Sequence, residues 1–233
     1  MALLSLTLCV LFVTLGFWQW HRWQDTAAAW TRFARGTDAV LPLGARSLDE
    51  VAKFQRVSLS GSLDGRHQFL LDNRSYRGNP GYEVLTPLTR GDGRVLLVDR
   101  GWVPFTGSRA RLPDVSLPDS PPLTLSGRVA DLPSPGLALG RAPPAAQDPW
   151  PRVTSFPDLR QLAAALGAPL EPRILLLDPG APAGFVRDWQ PPGMSPLRHL
   201  SYAIQWWCFA ALALVLWAIL GVRRARALQG AAP

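Results

Sequence analysis

RHLSYAIQWWCFAALALVLWAILGV is the sequence of residues 198–222, and it decides the architecture of the chain. From Ser201 to Val222 there are 22 residues without a charge. At ~1.5 Å per residue this run is long enough to cross the ~30 Å hydrocarbon core of a bilayer. It begins with the tyrosine and tryptophans typical of a membrane–water boundary and stops at the arginine-rich segment 223–226. The pattern predicts a transmembrane helix over residues 199–222.

The N-terminal end has the same pattern. Ala2 to Trp20 is a second uncharged run, and it closes on tryptophans, His21 and Arg22. The alternative is a cleaved signal peptide with residues 27–29 as its cleavage site. However, no basic residue precedes the apolar run, and the run is longer than the ~7–15 residues usual in such peptides. The sequence therefore favours a retained transmembrane helix over residues 1–22.

Two spans place both termini on one side of the membrane and residues 23–198 on the other. The tail 223–233 carries three arginines, and basic flanks favour the cytoplasm, so the domain is predicted to be periplasmic. Arg22, Arg32 and Arg35 oppose this orientation, although long translocated domains tolerate such charge. Of the 24 lysine and arginine residues only one is a lysine. This bias is typical of GC-rich bacterial genomes and indicates a bacterial inner membrane rather than a mitochondrion.

The net charge of +7 does not indicate a nucleic-acid partner. Three of the excess charges lie in the tail, and the other arginines are scattered among acids. Both cysteines, Cys9 and Cys208, fall inside the predicted spans. The domain between the spans therefore has no disulfide and no cysteine-based metal site.

The segment between the spans is long enough for one domain with a hydrophobic core. Alternating apolar and polar residues predict strands at 54–60, 67–72, 82–89, 94–99, 123–130 and 173–178, with 152–156 a weaker candidate. Gly91-Asp92-Gly93 predicts a hairpin turn between two of these strands. Helical spacing of leucine and alanine over 159–166, between Pro157 and Gly167, predicts one helix. The predicted fold class is a membrane protein with two transmembrane helices that flank a β-rich, antiparallel extracytoplasmic domain with one helix.

Three further expectations concern the parts around these elements. Residues 23–37 predict an outward continuation of the first helix that ends at Gly36. Dense prolines over 112–151 and 191–196 predict long loops. Trp102, which follows the 94–99 strand, is expected to be largely buried as a core aromatic.

The domain shows no pattern typical of catalysis. The chain has three histidines, at 21, 67 and 199, and it contains no His-x-His, Glu-x-x-His or Cys-x-x-Cys pattern and no glycine-rich phosphate loop after a strand. The adjacent Asp99 and Arg100 are typical of a structural salt bridge at a strand end. We therefore expect that the protein is not an enzyme.

The candidate cofactor-binding residues lie at the predicted membrane boundary. His199, Tyr202 and Trp206 follow helical spacing on one face of the second span, and His21 and Arg22 end the first span at the same interface. Imidazole is the usual proximal ligand of haem iron, and arginine pairs with carboxylates such as haem propionates. These residues together predict a cofactor cradle suited to haem, with His199 and His21 as its two imidazoles. The competing interpretation is an aromatic belt with structural histidines and a snorkelling arginine.

Four blocks of sequence occur in a fixed order, namely LGFWQWHR (15–22), NPGYEVLTPL (79–88), VLLVDRGWVP (95–104) and HLSYAIQW (199–206). Together they resemble the Surfeit locus family of cytochrome c oxidase assembly factors, in its bacterial form. The resemblance extends over nearly the whole chain. It implies a non-enzymatic factor that assists haem a insertion into the catalytic subunit of the oxidase, with haem a synthase as a further partner. It also implies that haem a is bound, with the histidine that opens the second span, His199 in this sequence, as the ligand.

Two other functions compete with this one. A copper-delivery factor for the same oxidase needs soft ligands such as paired cysteines or clustered methionines. The chain has two methionines, Met1 and Met194, and no cysteine outside the predicted spans. A structural chaperone that holds an oxidase assembly intermediate without a cofactor is the other possibility, and the sequence leaves it open.

Overall fold

The computed structural model describes residues 2–35, 39–118, 121–133, 149–155, 157–191 and 193–230. The chain divides into two compact units. The helical unit consists of residues 1–34 and 191–233, and the β unit consists of residues 35–190.

A long helix lies at each end of the described chain, and the strands lie between them in sequence. In chain order the elements are α1 (Ala2–Arg35), β1 (Val40–Pro42), a 3-10 turn (Leu48–Glu50), β2 (Arg56–Leu63), β3 (Phe69–Tyr76), β4 (Asn79–Arg90), β5 (Val95–Pro104), β6 (Leu123–Ala130), β7 (Arg152–Thr154), α2 (Leu159–Leu166), β8 (Leu170–Leu177) and α3 (Pro196–Gly230).

The two terminal helices are both long and apolar enough to cross a membrane. The prediction of two candidate membrane helices that flank a β-rich domain is therefore confirmed. The first helix continues beyond Trp23 to Arg35, as expected, and the expected stop at Gly36 lies outside the described residues. Pro196 opens α3, a position where its missing N–H costs no hydrogen bond. The membrane limits 1–22 and 199–222 stay predictions, because both helices run further than a bilayer requires.

Within the helical unit α1 and α3 run antiparallel and pack through aromatic rings. Phe12 stacks on Trp206, with ring centroids 5.7 Å apart. Nearer the C-terminal end of α1, a Cβ added at Gly16 would lie 2.2 Å from the Trp207 indole nitrogen. The absence of a side chain at Gly16 therefore lets the Trp207 ring lie against the α1 backbone, as small residues commonly do between membrane helices.

The β unit is a closed barrel. Its ring passes through β2, β6, β8, β5 and β4, and it closes where residues 61–63 of β2 pair with residues 88–90 of β4. β1 extends the sheet at β2, and β3 and β7 extend it at β4. Closure leaves few unpaired strand edges and encloses a core of valine and leucine side chains, among them Val57, Leu88 and Leu175.

The pairing is more varied than the predicted antiparallel arrangement. Five pairings are antiparallel, and β1–β2, β3–β7 and β5–β8 are parallel. A parallel pair needs a crossover connection, and α2 lies in the connection that brings β8 beside β5. β1 was not predicted because three residues are too short to show alternation.

Local signals placed the hairpin and the helix correctly. β4 and β5 are neighbours joined by the predicted turn, in which the Gly93 N–H donates to the Arg90 carbonyl at 3.0 Å. In α2 the Asp158 side chain accepts from the Gln161 N–H at 3.0 Å. Gly167 ends α2 with φ +75°. These are the usual cap residues of an α-helix.

Only part of the predicted proline-rich loop lies within the residues that the structure describes. Residues 105–118, between β5 and β6, contain neither helix nor strand. The parts of this prediction at 119–120 and 134–148 lie outside the described residues, as does Phe156 at the end of the weak strand candidate.

Asp99 and Arg100 do not form the expected salt bridge with each other. Successive residues of a strand point to opposite faces. Arg100 donates through Nη1 to the Gln68 side-chain oxygen at 2.8 Å and to the Val115 carbonyl at 3.1 Å. Asp99 accepts from the Gly101 N–H at 3.0 Å. Both side chains are buried, so each stabilises the inside of the domain separately.

Trp102 is of intermediate burial, and it packs beside the described core clusters rather than within them as expected. It lies across Gly81 of β4, where an added Cβ would come within 2.5 Å of the indole. It also contacts Tyr76, with ring centroids 5.5 Å apart. Strand alternation sends its neighbours Gly101 and Val103 to the buried face instead.

Asp99 gives the stability of the β unit a pH dependence. Burial and, to a lesser degree, the nearby Glu83 carboxylate raise the pKa of Asp99 well above its ordinary range. The folded protein therefore holds this proton more tightly than the unfolded chain does. The resulting stabilisation is complete below the unfolded pKa of about 3.9 and is lost as the pH rises through the folded pKa.

Asp99→Asn keeps an oxygen for the Gly101 N–H but cannot ionise. We expect the stability of this variant relative to wild type to rise as the pH increases above about 4, measured by urea unfolding of the full chain in detergent. Asp114→Asn is the control of opposite sign, because hydrogen bonds from Ser116 lower the pKa of Asp114. A constant difference between Asp99→Asn and wild type at all pH values would contradict the assignment.

Candidate functional site

His199 lies in the first turn of α3 and is 9% exposed. Its Nδ1 lies 2.8 Å from Oε1 of Gln19, on the facing helix α1. The two residues are 180 positions apart in sequence, and the antiparallel packing of α1 and α3 brings them together. The bond joins the only histidine of α3 to a polar residue within a largely apolar helix.

This hydrogen bond fixes the chemistry of the imidazole. Because a side-chain carbonyl oxygen only accepts, Nδ1 of His199 carries the proton and donates. In the neutral ring Nε2 then has a lone pair. The Nε2 atom makes no hydrogen bond with any residue that the structure describes. A histidine held through one nitrogen, with a lone pair on the other, has the arrangement found in metal-bound histidines.

Tyr202 and Trp206 follow His199 along α3. Trp206, two turns on, stays on the face toward α1, where it stacks on Phe12 and meets Phe209 edge-on. Tyr202, 40% exposed, lies at the margin of this face, about 60° around the helix from His199. The predicted set on α3 therefore shares one side of the helix, and Tyr202 marks its exposed edge.

Arg22 and His21 on α1 differ in their placement. Arg22 is three positions after Gln19, which puts it about 60° around α1 from the residue that bonds His199. His21 is two positions after Gln19, so it lies about 160° away, on the far side of α1. Both side chains are exposed. The structure brings Arg22 to the same side as the Gln19–His199 bond and does not bring His21 there.

Gln19 is a residue of this site that was not predicted from the sequence. Its signal was the single amide side chain of the uncharged run 2–20, one turn before Trp23. The remaining histidine, His67, belongs to the β unit, where Nδ1 lies 2.6 Å from Asp64 and the ring meets Trp150 edge-on. Within the described ranges no group of three or more His, Cys, Asp or Glu side chains is arranged to hold a metal ion.

The chain has the architecture of a candidate membrane protein, with two candidate membrane helices and, between them in sequence, a closed β-barrel. Comparison with known families gives a match to the SURF1 family over residues 6–211. The chain belongs to the SURF1 family.

Similar proteins carry the same family name. The chain is 32% identical over 163 residues to proteins named "Uncharacterized SURF1-like protein" in Mycobacterium bovis and in two strains of Mycobacterium tuberculosis. The matched region is 70% of this chain and 58% of each relative. The chain therefore matches under two thirds of the length of these relatives.

Proposed function

We propose that the protein is an assembly factor for cytochrome c oxidase that holds haem a through His199 during its insertion into the catalytic subunit. Membership of the SURF1 family supports the first part. The observation that carries the second part is the Gln19–His199 hydrogen bond, because it holds the imidazole with a lone pair on Nε2.

The residues of the helical unit suit the parts of a haem. His199 provides the axial nitrogen, which is the usual protein ligand of haem iron. Arg22, which has no ion pair with any residue that the structure describes, provides a guanidinium for a propionate. Tyr202 and Trp206 provide aromatic surface beside the ring. When bound, the haem supplies no chemistry of its own to this protein, since it is cargo for the oxidase.

The setting of this function is a bacterial inner membrane. We place α1 and α3 across the bilayer, both termini in the cytoplasm and the β unit in the periplasm, because Arg223, Arg224 and Arg226 follow the apolar part of α3. The partners are then the catalytic subunit of the oxidase and haem a synthase, with lipid around the helices and no nucleic acid.

A structural chaperone without a cofactor is the second candidate. The observation that favours it is the same hydrogen bond. The contact between Gln19 and His199 also holds α1 and α3 together, and that role needs no cofactor. Interhelical hydrogen bonds of this kind typically contribute ~0.6–2 kcal/mol in membranes. Haem binding separates the two candidates.

The test is to purify the full chain in detergent from cells that make haem a and to record its reduced-minus-oxidised spectrum. We expect a haem a band in the purified protein. A cofactor-free protein that nevertheless restores oxidase assembly in a deletion strain would contradict haem binding and favour the structural chaperone.

Gln19→Leu is expected to weaken haem a binding about 10- to 100-fold without abolishing it, the usual effect of removing the partner of a ligating histidine. The leucine leaves His199 in place but no longer fixes its ring and tautomer. Titration of the purified protein with haem measures the change. Gln205→Leu, an exposed position on α3, is the matched control and should leave the affinity unchanged. Equal affinities for wild type and Gln19→Leu would contradict a positioning role for Gln19.

A further inference from the structure

An apolar groove runs along the helical unit, in the part of α1 and α3 farther from Gln19 and His199. Its volume is about 520 Å³. It is lined by Ser5, Leu8, Phe12, Trp206, Phe209, Leu212, Ala213, Leu216, Trp217 and Leu220. Ser5 is the only polar residue of this lining, so the groove fits an occupant made of hydrocarbon.

The groove ends at Trp206, two helical turns from His199 along α3. Trp206 lines the end of the groove nearer His199, and the rise along α3 from His199 to Trp206 is about 10 Å. Tyr202 lies between them and, by helical rotation, on the same side of α3 as Phe209 and Leu216. Trp207 points away from the groove, and its ring lies against Gly16 of α1. An occupant of the groove can therefore reach toward His199 past Tyr202.

The dimensions of the groove suit a single hydrocarbon chain. Along α3 the lining extends from residue 206 to residue 220, which is about 21 Å of helix rise. A volume of 520 Å³ over this length corresponds to a mean cross-section of about 25 Å². An unbranched or prenyl chain therefore fits along the groove.

We propose that this groove binds the farnesyl tail of haem a while His199 holds the iron. The inference rests on the proposed function, because the ring at His199 is what places the tail at the end of the groove nearer His199. A cavity of about 150 Å³ holds a benzene molecule, so 520 Å³ has room for a chain of farnesyl size. The groove then makes the protein selective for haems with a prenyl tail over haem b.

Haem o and haem b are matched probes, because they differ only in the farnesyl-bearing side chain. Each is titrated into the full chain in detergent and followed by absorbance. Since the tail is in an apolar medium before and after binding, its contribution comes from packing in the groove. We expect haem o to bind about tenfold more tightly than haem b.

Two variants fill the groove from opposite helices, Ala213→Phe and Leu8→Phe. Each should reduce the preference for haem o to about twofold or less while haem b binding stays unchanged, which also shows that the iron site is intact. Ala211→Phe is the control, since Ala211 lies on α3 about 160° from Ala213 and outside the groove.

The outcomes separate the two proposals. Equal affinity of wild type for both haems, each lost in His199→Ala, overturns the tail groove and leaves the haem site standing. A groove-filling variant that loses co-purified phospholipid but keeps its preference for haem o overturns it in favour of a lipid acyl chain. No binding of either haem to wild type overturns the proposed haem site and the groove together.

Discussion

Replacing His199 with alanine is expected to abolish the retention of haem a by the full chain. Among the residues that the structure describes, the His199 imidazole is the nitrogen ligand in contact with Gln19, and alanine leaves no nitrogen in its place. Wild-type and variant proteins are purified side by side from cells that make haem a, and the haem to protein ratio is measured by absorbance. We expect a ratio near zero for the variant, at an unchanged yield of membrane-inserted protein.

Two controls separate ligation from a structural role. His199→Gln keeps a side chain that can donate to Gln19, so it should preserve the helix contact and still lose the haem. His21→Ala should keep the haem, because His21 lies on the far side of α1 from Gln19. The double variant should match His199→Ala. Haem at the wild-type level in His199→Ala would refute the ligand assignment and favour the structural chaperone.

Glu171→Leu is expected to reduce the free energy of unfolding by about 2–4 kcal/mol. Arg90 Nη1 lies 2.7 Å from Glu171 Oε1, with side chains only 4% and 5% exposed. Glu171 also accepts from the Leu48 N–H at 2.7 Å. Removing the carboxylate leaves the buried guanidinium with the partly exposed Asp92, 3.2 Å away, as its remaining ion partner, and it leaves the Leu48 N–H without its acceptor.

Urea unfolding of the full chain in detergent, followed by circular dichroism of the β unit, measures this change. Lys53→Met is the matched control, since it breaks the exposed Lys53–Asp131 pair and should cost less than about 1 kcal/mol. Arg90→Met combined with Glu171→Leu should recover part of the loss, because it removes a buried charge whose remaining ion partner is the partly exposed Asp92. A loss below about 1 kcal/mol for Glu171→Leu would show that the pair contributes no more than a surface salt bridge.

The candidate site could be predicted only in part. His199, Tyr202 and Trp206 were found because the face of a helix repeats every 3.6 residues, a local property that sequence alone displays. Gln19 was missed, although it is the residue that orients His199, because their contact joins positions 180 residues apart. His21 was included because it ends the first span, and depth along a helix does not say which side of the helix a residue occupies.

In the β unit, too, local features were predicted and long-range contacts were not. The hairpin at 91–93 and the helix at 159–166 were predicted correctly, because turn and cap residues act over a few positions. The barrel closure between β2 and β4 and the parallel pair β5–β8 were not, because both depend on how the chain returns to strands already formed. Trp102 was expected in the core, and close approach to Gly81 placed it at the partly exposed margin instead.

By itself the sequence determined two apolar helices, a β-rich domain between them, and a histidine at the start of the second helix. These follow from composition and short periodicities, which are fixed by neighbouring residues. Only the tertiary structure decided that Gln19 contacts His199, that His21 lies on the other side of α1, and that an apolar groove begins at Trp206. Such features arise where distant segments meet, and their free energy depends on contacts that no local pattern contains.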